Sequence, residues 1–105
     1  MTDTADQTVV YVTYRGTSET RFDREYYVER HLPLVMRSWS QYGLQEIAAF
    51  FPPVQQGGTI ALCECRFRDD EAVRAAFASP EVPAVMADVE RFSDVRPTRS
   101  RATAL

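Results

Sequence analysis

The chain has 105 residues, 45% of them hydrophobic and 26% charged, with 15 acidic side chains against 12 basic ones for a formal charge of −3. That length suits one domain with one core, and the composition is too apolar for a disordered chain. Every basic residue is Arg, without the clustered cations of a nucleic-acid binder or a polybasic membrane patch, and no apolar run nears a membrane span, so a cytoplasmic protein is expected.

Residues 1–7 carry nothing to bury and are expected to be a flexible leader before a single domain over residues 8–105. Residues 8–14, TVVYVTY, are β-branched and aromatic and predict a first strand. Thr20 stands three residues before Asp23, the spacing of a helix N-cap with an acidic third residue, so a helix is expected to start there. Tyr27, Leu34, Val35 and Trp39 recur at helical spacing, Pro33 must disturb that helix, and Gly43 stands where a left-handed cap belongs. Residues 44–51 and 59–67 read as a hairpin of two strands, broken by Pro52 and Pro53 and turned by Gly57 and Gly58. Asp69 is the expected cap of a second helix through Ala78, with Ala72, Val73, Ala76 and Phe77 as its apolar stripe. Ser79, Pro80 and Pro83 interrupt it before a short helical piece over residues 84–91. Residues 95–102 make a last strand, which Pro97 assigns to a sheet edge.

The order β-α-β-β-α-β predicts a ferredoxin-like α+β fold, one antiparallel sheet with helices on one face. Along the third strand Ala61, Cys63, Cys65 and Phe67 alternate with Ile60 and Leu62, so both faces are apolar and the second needs a cover. A second copy of the chain or a bound apolar ligand could supply it. Cys63 and Cys65 point the same way, are poorly spaced for a mutual disulfide, and read as buried small hydrophobes.

His31 is the one histidine and lies just before the helix-disturbing Pro33. An imidazole takes and gives protons near neutrality, which suits enolisation, dehydration or ring closure without a cofactor; a structural histidine bonded to a carbonyl or carboxylate is the alternative. Tyr27 is one turn earlier and, with Leu34 and Trp39, forms a stripe that lines either a pocket or the core. Tyr11 and Tyr14 alternate across the first strand, so only one, taken to be Tyr14, can share a pocket with His31. Glu64 and Arg66 share the face of Ile60 and Leu62; they pair across a dimer, or Glu64 assists His31. Asp88 and Asp94 are either helix and turn caps or reach a cavity mouth. There is no dinucleotide fingerprint and no metal-ligand cluster in the sequence, so no cofactor and no metal are expected.

The set Phe22-Asp23, Tyr26-Tyr27, His31, Pro33-Leu34, Gly43-Leu44, Phe67, Asp88 and Phe92-Ser93-Asp94 resembles the EthD family from about residue 9 to residue 97. The resemblance implies a ferredoxin-like protomer whose sheet meets a second copy's in a dimeric α+β barrel, with a cavity between sheet and helices. It implies that His31 borders the cavity, near Tyr27, Trp39 and Phe92. The expected function is therefore a homodimer that binds a small organic ligand, a cofactor-independent acid/base enzyme of cyclase, dehydratase or isomerase type. In that scheme His31, Tyr27, Glu64 and Asp88 are catalytic, and Tyr14, Leu34, Trp39 and Phe92 bind substrate. An oxidoreductase or accessory protein of an oxidative system, as the family name suggests, and a metabolite-binding dimer without chemistry are the alternatives.

Overall fold

The β-branched opening of the chain forms β1 (Thr8–Gly16), which runs two residues beyond the expected strand and pairs antiparallel on both sides. The computed structural model describes residues 7–53 and 57–103; residues 1–6, which hold nearly all of the expected leader, lie outside the described residues. β2 (Leu44–Phe50), β3 (Gly58–Phe67) and β4 (Thr98–Thr103) complete a four-stranded antiparallel sheet in the order β2-β3-β1-β4. This is the ferredoxin-like arrangement, with β4 at an edge; β4 starts at Thr98, three residues later than expected, so Pro97 precedes the ladder and removes no bond from it.

Asp23, and not Thr20, caps the first helix: its carboxylate accepts the Tyr26 N–H at 3.0 Å, and α1 (Arg24–Tyr26) starts there. Thr20 instead closes a turn in which the Thr17 N–H donates to its hydroxyl at 2.9 Å. The intervening residues are extended because Phe22 bridges Ser93, with the Asp23 N–H donating to the Phe92 carbonyl at 2.8 Å. After α1 the chain makes one π-helical turn, Tyr27–His31, and continues as α2 (Leu32–Trp39). Pro33 explains the wide turn. Its ring would press on the carbonyl four residues back in a regular helix, and the wider turn, in which the Leu32 N–H bonds the Tyr27 carbonyl, relieves that clash. A 3-10 turn ends the rod at Gly43, whose φ of +115° is the left-handed cap expected of it.

Asp69 caps α3 (Asp70–Phe77), accepting the Ala72 N–H at 2.8 Å. α4 (Val82–Asp88) starts two residues earlier than expected, with Pro83 in its first turn, where a missing N–H is harmless, and a 3-10 turn extends it. All helices pack on the face carrying Val10, Val12, Tyr14, Ala61, Cys63, Cys65 and Phe67; the ladder pairs Val12 with Cys63 and Tyr14 with Ala61. The opposite face carries Tyr11, Ala48, Phe50, Leu62, Glu64 and Arg66, and Phe50 is 51% exposed.

Gly43 tests how closely the two helical segments are set. A Cβ there would stand 2.5 Å from the Ala72 methyl of α3 and would force a side chain into left-handed backbone. Gly43→Ala is expected to lower the unfolding free energy by roughly 2–4 kcal/mol, the sum of strain and overpacking, read by chemical denaturation. A loss under about 0.5 kcal/mol would mean that the contact relaxes freely.

Candidate functional site

An aromatic cluster grows from the bridge between Phe22 and Ser93. Phe22 and Phe92 meet edge to face at 5.3 Å, and both touch Tyr14 and Tyr27. The His31 ring closes it, nearly parallel to Tyr27 at 5.6 Å and 4.6 Å from Phe92. His31 is only 5% exposed, so its polar edges need explanation. On one edge Nδ1 bonds Asp88 Oδ2 at 2.9 Å; the other carboxylate oxygen accepts the Tyr26 hydroxyl at 2.8 Å and lies 3.9 Å from Arg91. Among the described residues Nε2 has no protein partner.

That second edge belongs to a cavity of about 340 Å³ between helices and sheet. His31, Leu32, Val35 and Trp39 supply the wall from the first helical rod, and Val12, Tyr14, Cys63 and Cys65 supply it from the sheet. Val82, Val85, Met86 and Val89 close the α4 side, and Arg96, Pro97 and Arg99 stand where the chain enters β4. Met86 and both arginines are exposed, which puts the opening between α4 and β4.

Desolvation holds the imidazole below its ordinary pKa, against the opposing pull of Asp88, so the ring is neutral at pH 7. Burial alone would raise the Asp88 carboxyl, but hydrogen bonds from His31 and Tyr26 outweigh it and keep the group an anion. A carboxylate on Nδ1 selects the tautomer with Nδ1–H and leaves Nε2 as a free base. Burial, with Cys63 next in weight, pushes the Tyr27 phenol well above its usual range, so it stays a neutral donor. Burial likewise pushes Tyr14 up.

The sequence candidates fall into three groups. His31, Tyr27, Tyr14 and Trp39 share the cavity wall, and Asp88 is bound to His31 from behind it. Leu34 and Phe92 are corrections. The π turn adds a residue to the rod and rotates the turns after it, so Leu32 faces the cavity while Leu34 packs on the neighbouring core. Phe92 is fully buried against the imidazole and supports the ring outside the wall. Glu64 does not meet His31: strand alternation puts it on the opposite face of the sheet, where it pairs with Arg66 of its own strand at 2.7 Å. Cys63 and Cys65 are buried and share a face, their sulfurs 3.7 Å apart and unlinked, but they line the cavity, a role beyond that of core hydrophobes.

Tyr26 and the two mouth arginines escape a reading of the residues alone. Tyr26 is visible there only as part of a tyrosine pair, and Arg96 and Arg99 are ordinary surface cations until β4 is placed. Among the described residues no three His, Cys, Asp or Glu side chains gather where they could hold a metal ion, and no helix is long and apolar enough to cross a membrane.

The sequence profile of the EthD domain matches residues 15–96. Among solved structures, an EthD-like protein from Ralstonia eutropha JMP134 superposes with a TM-score of 0.80 at 20% identity, over 93% of this chain and 91% of that one. An ethyl tert-butyl ether D (EthD) family protein from Bacillus halodurans C-125 gives 0.68 at 20% identity over 94% and 99%. SnoaB from Streptomyces nogalater, a cofactor-independent oxygenase, gives 0.62 at 14% identity over 94% of each chain. No curated protein matches the sequence.

The buried imidazole makes stability depend on pH with a definite sign. Because the folded pKa of His31 lies below the unfolded value near 6.5, the unfolded chain binds more protons on the acid side. Unfolding free energy is expected to be fully developed above about pH 7 and to fall as pH drops through 6.5 and below, and His31→Asn should flatten that slope. Stability that instead rises on acidification over this range would mean that the folded protein holds His31 as a cation.

Proposed function

The chain belongs to the EthD domain family, and from that premise we propose that it binds a small organic molecule in the helix-sheet cavity and acts on it by cofactor-independent acid/base chemistry. The observation that carries this reading is the state of His31. It is neutral, held at Nδ1 by Asp88, and edged on a largely apolar cavity with Nε2 free. Such a nitrogen removes a proton from carbon next to a carbonyl and returns it elsewhere, the elementary steps of isomerisation, dehydration and aldol-type cyclisation. The neutral Tyr27 phenol next to it is a donor for the oxygen on which negative charge develops. Asp88 and Tyr26 act through the imidazole as positioning residues.

Carbon-proton exchange tests this without knowledge of the natural substrate. The protein is expected to accelerate α-proton exchange of cyclic ketones such as 2-tetralone in heavy water, monitored by proton NMR. His31→Ala should cost about 100-fold or more and Asp88→Asn roughly tenfold. Because the free base is the active form and its pKa is depressed, the rate should stay level through neutrality and fall only below pH 6.5. A folded wild-type protein that exchanges no member of a panel of cyclic ketones and diketones faster than buffer would count against the proposal.

A second reading is favoured by the likeness to SnoaB, a cofactor-independent oxygenase. The same proton removal yields an enolate that dioxygen oxidises, and oxygen uptake on adding a phenolic or diketone substrate separates it from isomerisation. Two free thiols suit a reducing compartment, which favours action in the cytoplasm.

We also propose that the sheet face bearing Tyr11, Phe50 and Leu62 meets the same face of a second copy, closing a two-fold dimer. Light scattering should return twice the monomer mass, and Leu62→Arg should return one. A wild-type monomer at micromolar concentration would dismiss the dimer while leaving the His31 site intact.

A further inference from the structure

Tyr14 is a polar group of the cavity wall that the acid/base reading leaves without a task. Strand alternation aims it from β1 at the helices, and its ring meets Tyr27 edge to face at 5.7 Å and Phe92 at 5.8 Å. The residue is 1% exposed, and a tyrosine buried that deeply ordinarily finds a partner for its hydroxyl. Among the described residues this hydroxyl has none. The Asp88 carboxylate, near enough to act on it, already accepts the Tyr26 hydroxyl and bonds His31, and the neighbouring Cys63 and Cys65 thiols are poor acceptors.

An unpaired hydroxyl is not thereby a sealed one. Among the described side-chain nitrogens and oxygens, the Trp39 indole nitrogen alone is both enclosed by protein and without a partner, so the little surface that Tyr14 keeps includes its hydroxyl oxygen, on the cavity side. Tyr27 is placed in the same way. It is also 1% exposed and lines the cavity, and its polar neighbour is the Cys63 thiol, a weak acceptor that a ligand oxygen outcompetes. Burial holds both phenols protonated. Tyr27 stacks on His31, so base and hydroxyls border one end of the cavity, one hydroxyl supplied by the sheet and the other by the first helical rod.

We propose that Tyr14 and Tyr27 form a two-donor site for one ligand oxygen, the carbonyl oxygen of a flat cyclic ketone or β-diketone that becomes an enolate when His31 Nε2 takes a proton from the adjacent carbon. This rests on the acid/base reading of the cavity and names the group that the ligand presents to it. In the step the C–H bond breaks, its electron pair enters the carbon–carbon bond as the carbonyl pair moves to oxygen, and the proton goes to Nε2; nothing is oxidised or reduced. A single neutral donor replaces only part of the hydration an enolate oxygen has in water, and the second phenol supplies more of it from a fixed position.

Phenolates test the site apart from turnover, because they carry the flat ring and charged oxygen of an enolate. By calorimetry para-nitrophenolate is expected to bind about tenfold tighter than para-nitrotoluene, and Tyr14→Phe and Tyr27→Phe should each weaken the phenolate about tenfold while leaving the toluene unchanged. In the ketone exchange assay Tyr14→Phe should lower kcat about 100-fold with little change in KM, since the charge forms only as the proton leaves. That variant removes a hydroxyl without a protein partner, so its unfolding free energy should match wild type, which separates a lost donor from a damaged fold. A Tyr14→Phe protein with wild-type phenolate affinity or wild-type kcat, or a loss of affinity shared by the toluene, would overturn the two-donor site, while His31-dependent exchange would keep the acid/base reading standing. Phenolate binding that needs both tyrosines, in a protein that exchanges no ketone, would uphold the site as a holder of anionic oxygen and remove the acid/base reading.

Discussion

The site depends on one short seam between two distant parts of the chain. Phe22 bridges Ser93, the Asp23 N–H bonds the Phe92 carbonyl at 2.8 Å, and the Arg21 guanidinium reaches the Glu90 carbonyl at 2.9 Å. These bonds satisfy backbone groups that would otherwise be stranded between a strand and a helix start. They also fix where the first helical rod begins relative to the end of α4. His31 and Asp88 are 57 residues apart and meet at 2.9 Å, because one is set a fixed number of turns after the seam and the other just before it. Asp23 serves both structures, its N–H in the seam and its carboxylate on the helix start, so the site inherits its register from a single residue.

The π turn then sets which side chains face inward. A regular helix from Arg24 to Trp39 would bring Pro33 against the carbonyl of Glu29 and would carry a different stripe to the sheet. The wider turn advances the phase, so that His31, Leu32, Val35 and Trp39 share the cavity while Leu34 turns away. Proline, wide turn and imidazole position are one structural fact. The cost of an irregular turn is offset by burial of Tyr27 and His31 in the aromatic cluster.

Much of this was legible in the residues, and the misses share a cause. Strand alternation correctly paired Cys63 with Cys65 and separated them from Glu64, but no pattern within a strand says which face receives the helices, and this left Glu64 a candidate partner for His31. Helical spacing found Tyr27, Val35 and Trp39, and its one error at Leu34 came from assuming a constant 3.6-residue period through a proline. Thr20 offered better capping chemistry than its surroundings could use, because the bridge to Ser93 held the next residues extended. Asp88 is a candidate on the family resemblance, but composition and spacing alone do not separate it from Asp94, and the tertiary seam is what brings it to His31. Whether a donor goes unpaired, as at Trp39, is a property of packing, for which a sequence carries no symbol.

Two opposing electrostatic effects account for the state of the imidazole, and their balance constrains the chemistry. Burial disfavours the imidazolium and Asp88 favours it; desolvation prevails, so the resting site holds an anion and a neutral base. In the proposed proton transfer to Nε2, the cation formed would already be bonded to the carboxylate, so the pair would gain attraction as the substrate lost its proton. The negative charge left on the substrate in that proposal would need its own donor, and Tyr27 is neutral because burial, which depresses His31, raises the phenol. Burial of both side chains therefore prepares base and donor together for the proposed reaction. Arg96 and Arg99, without acidic partners among the described residues, are exposed at the mouth, where water solvates their charge, and do not stand deep in the wall.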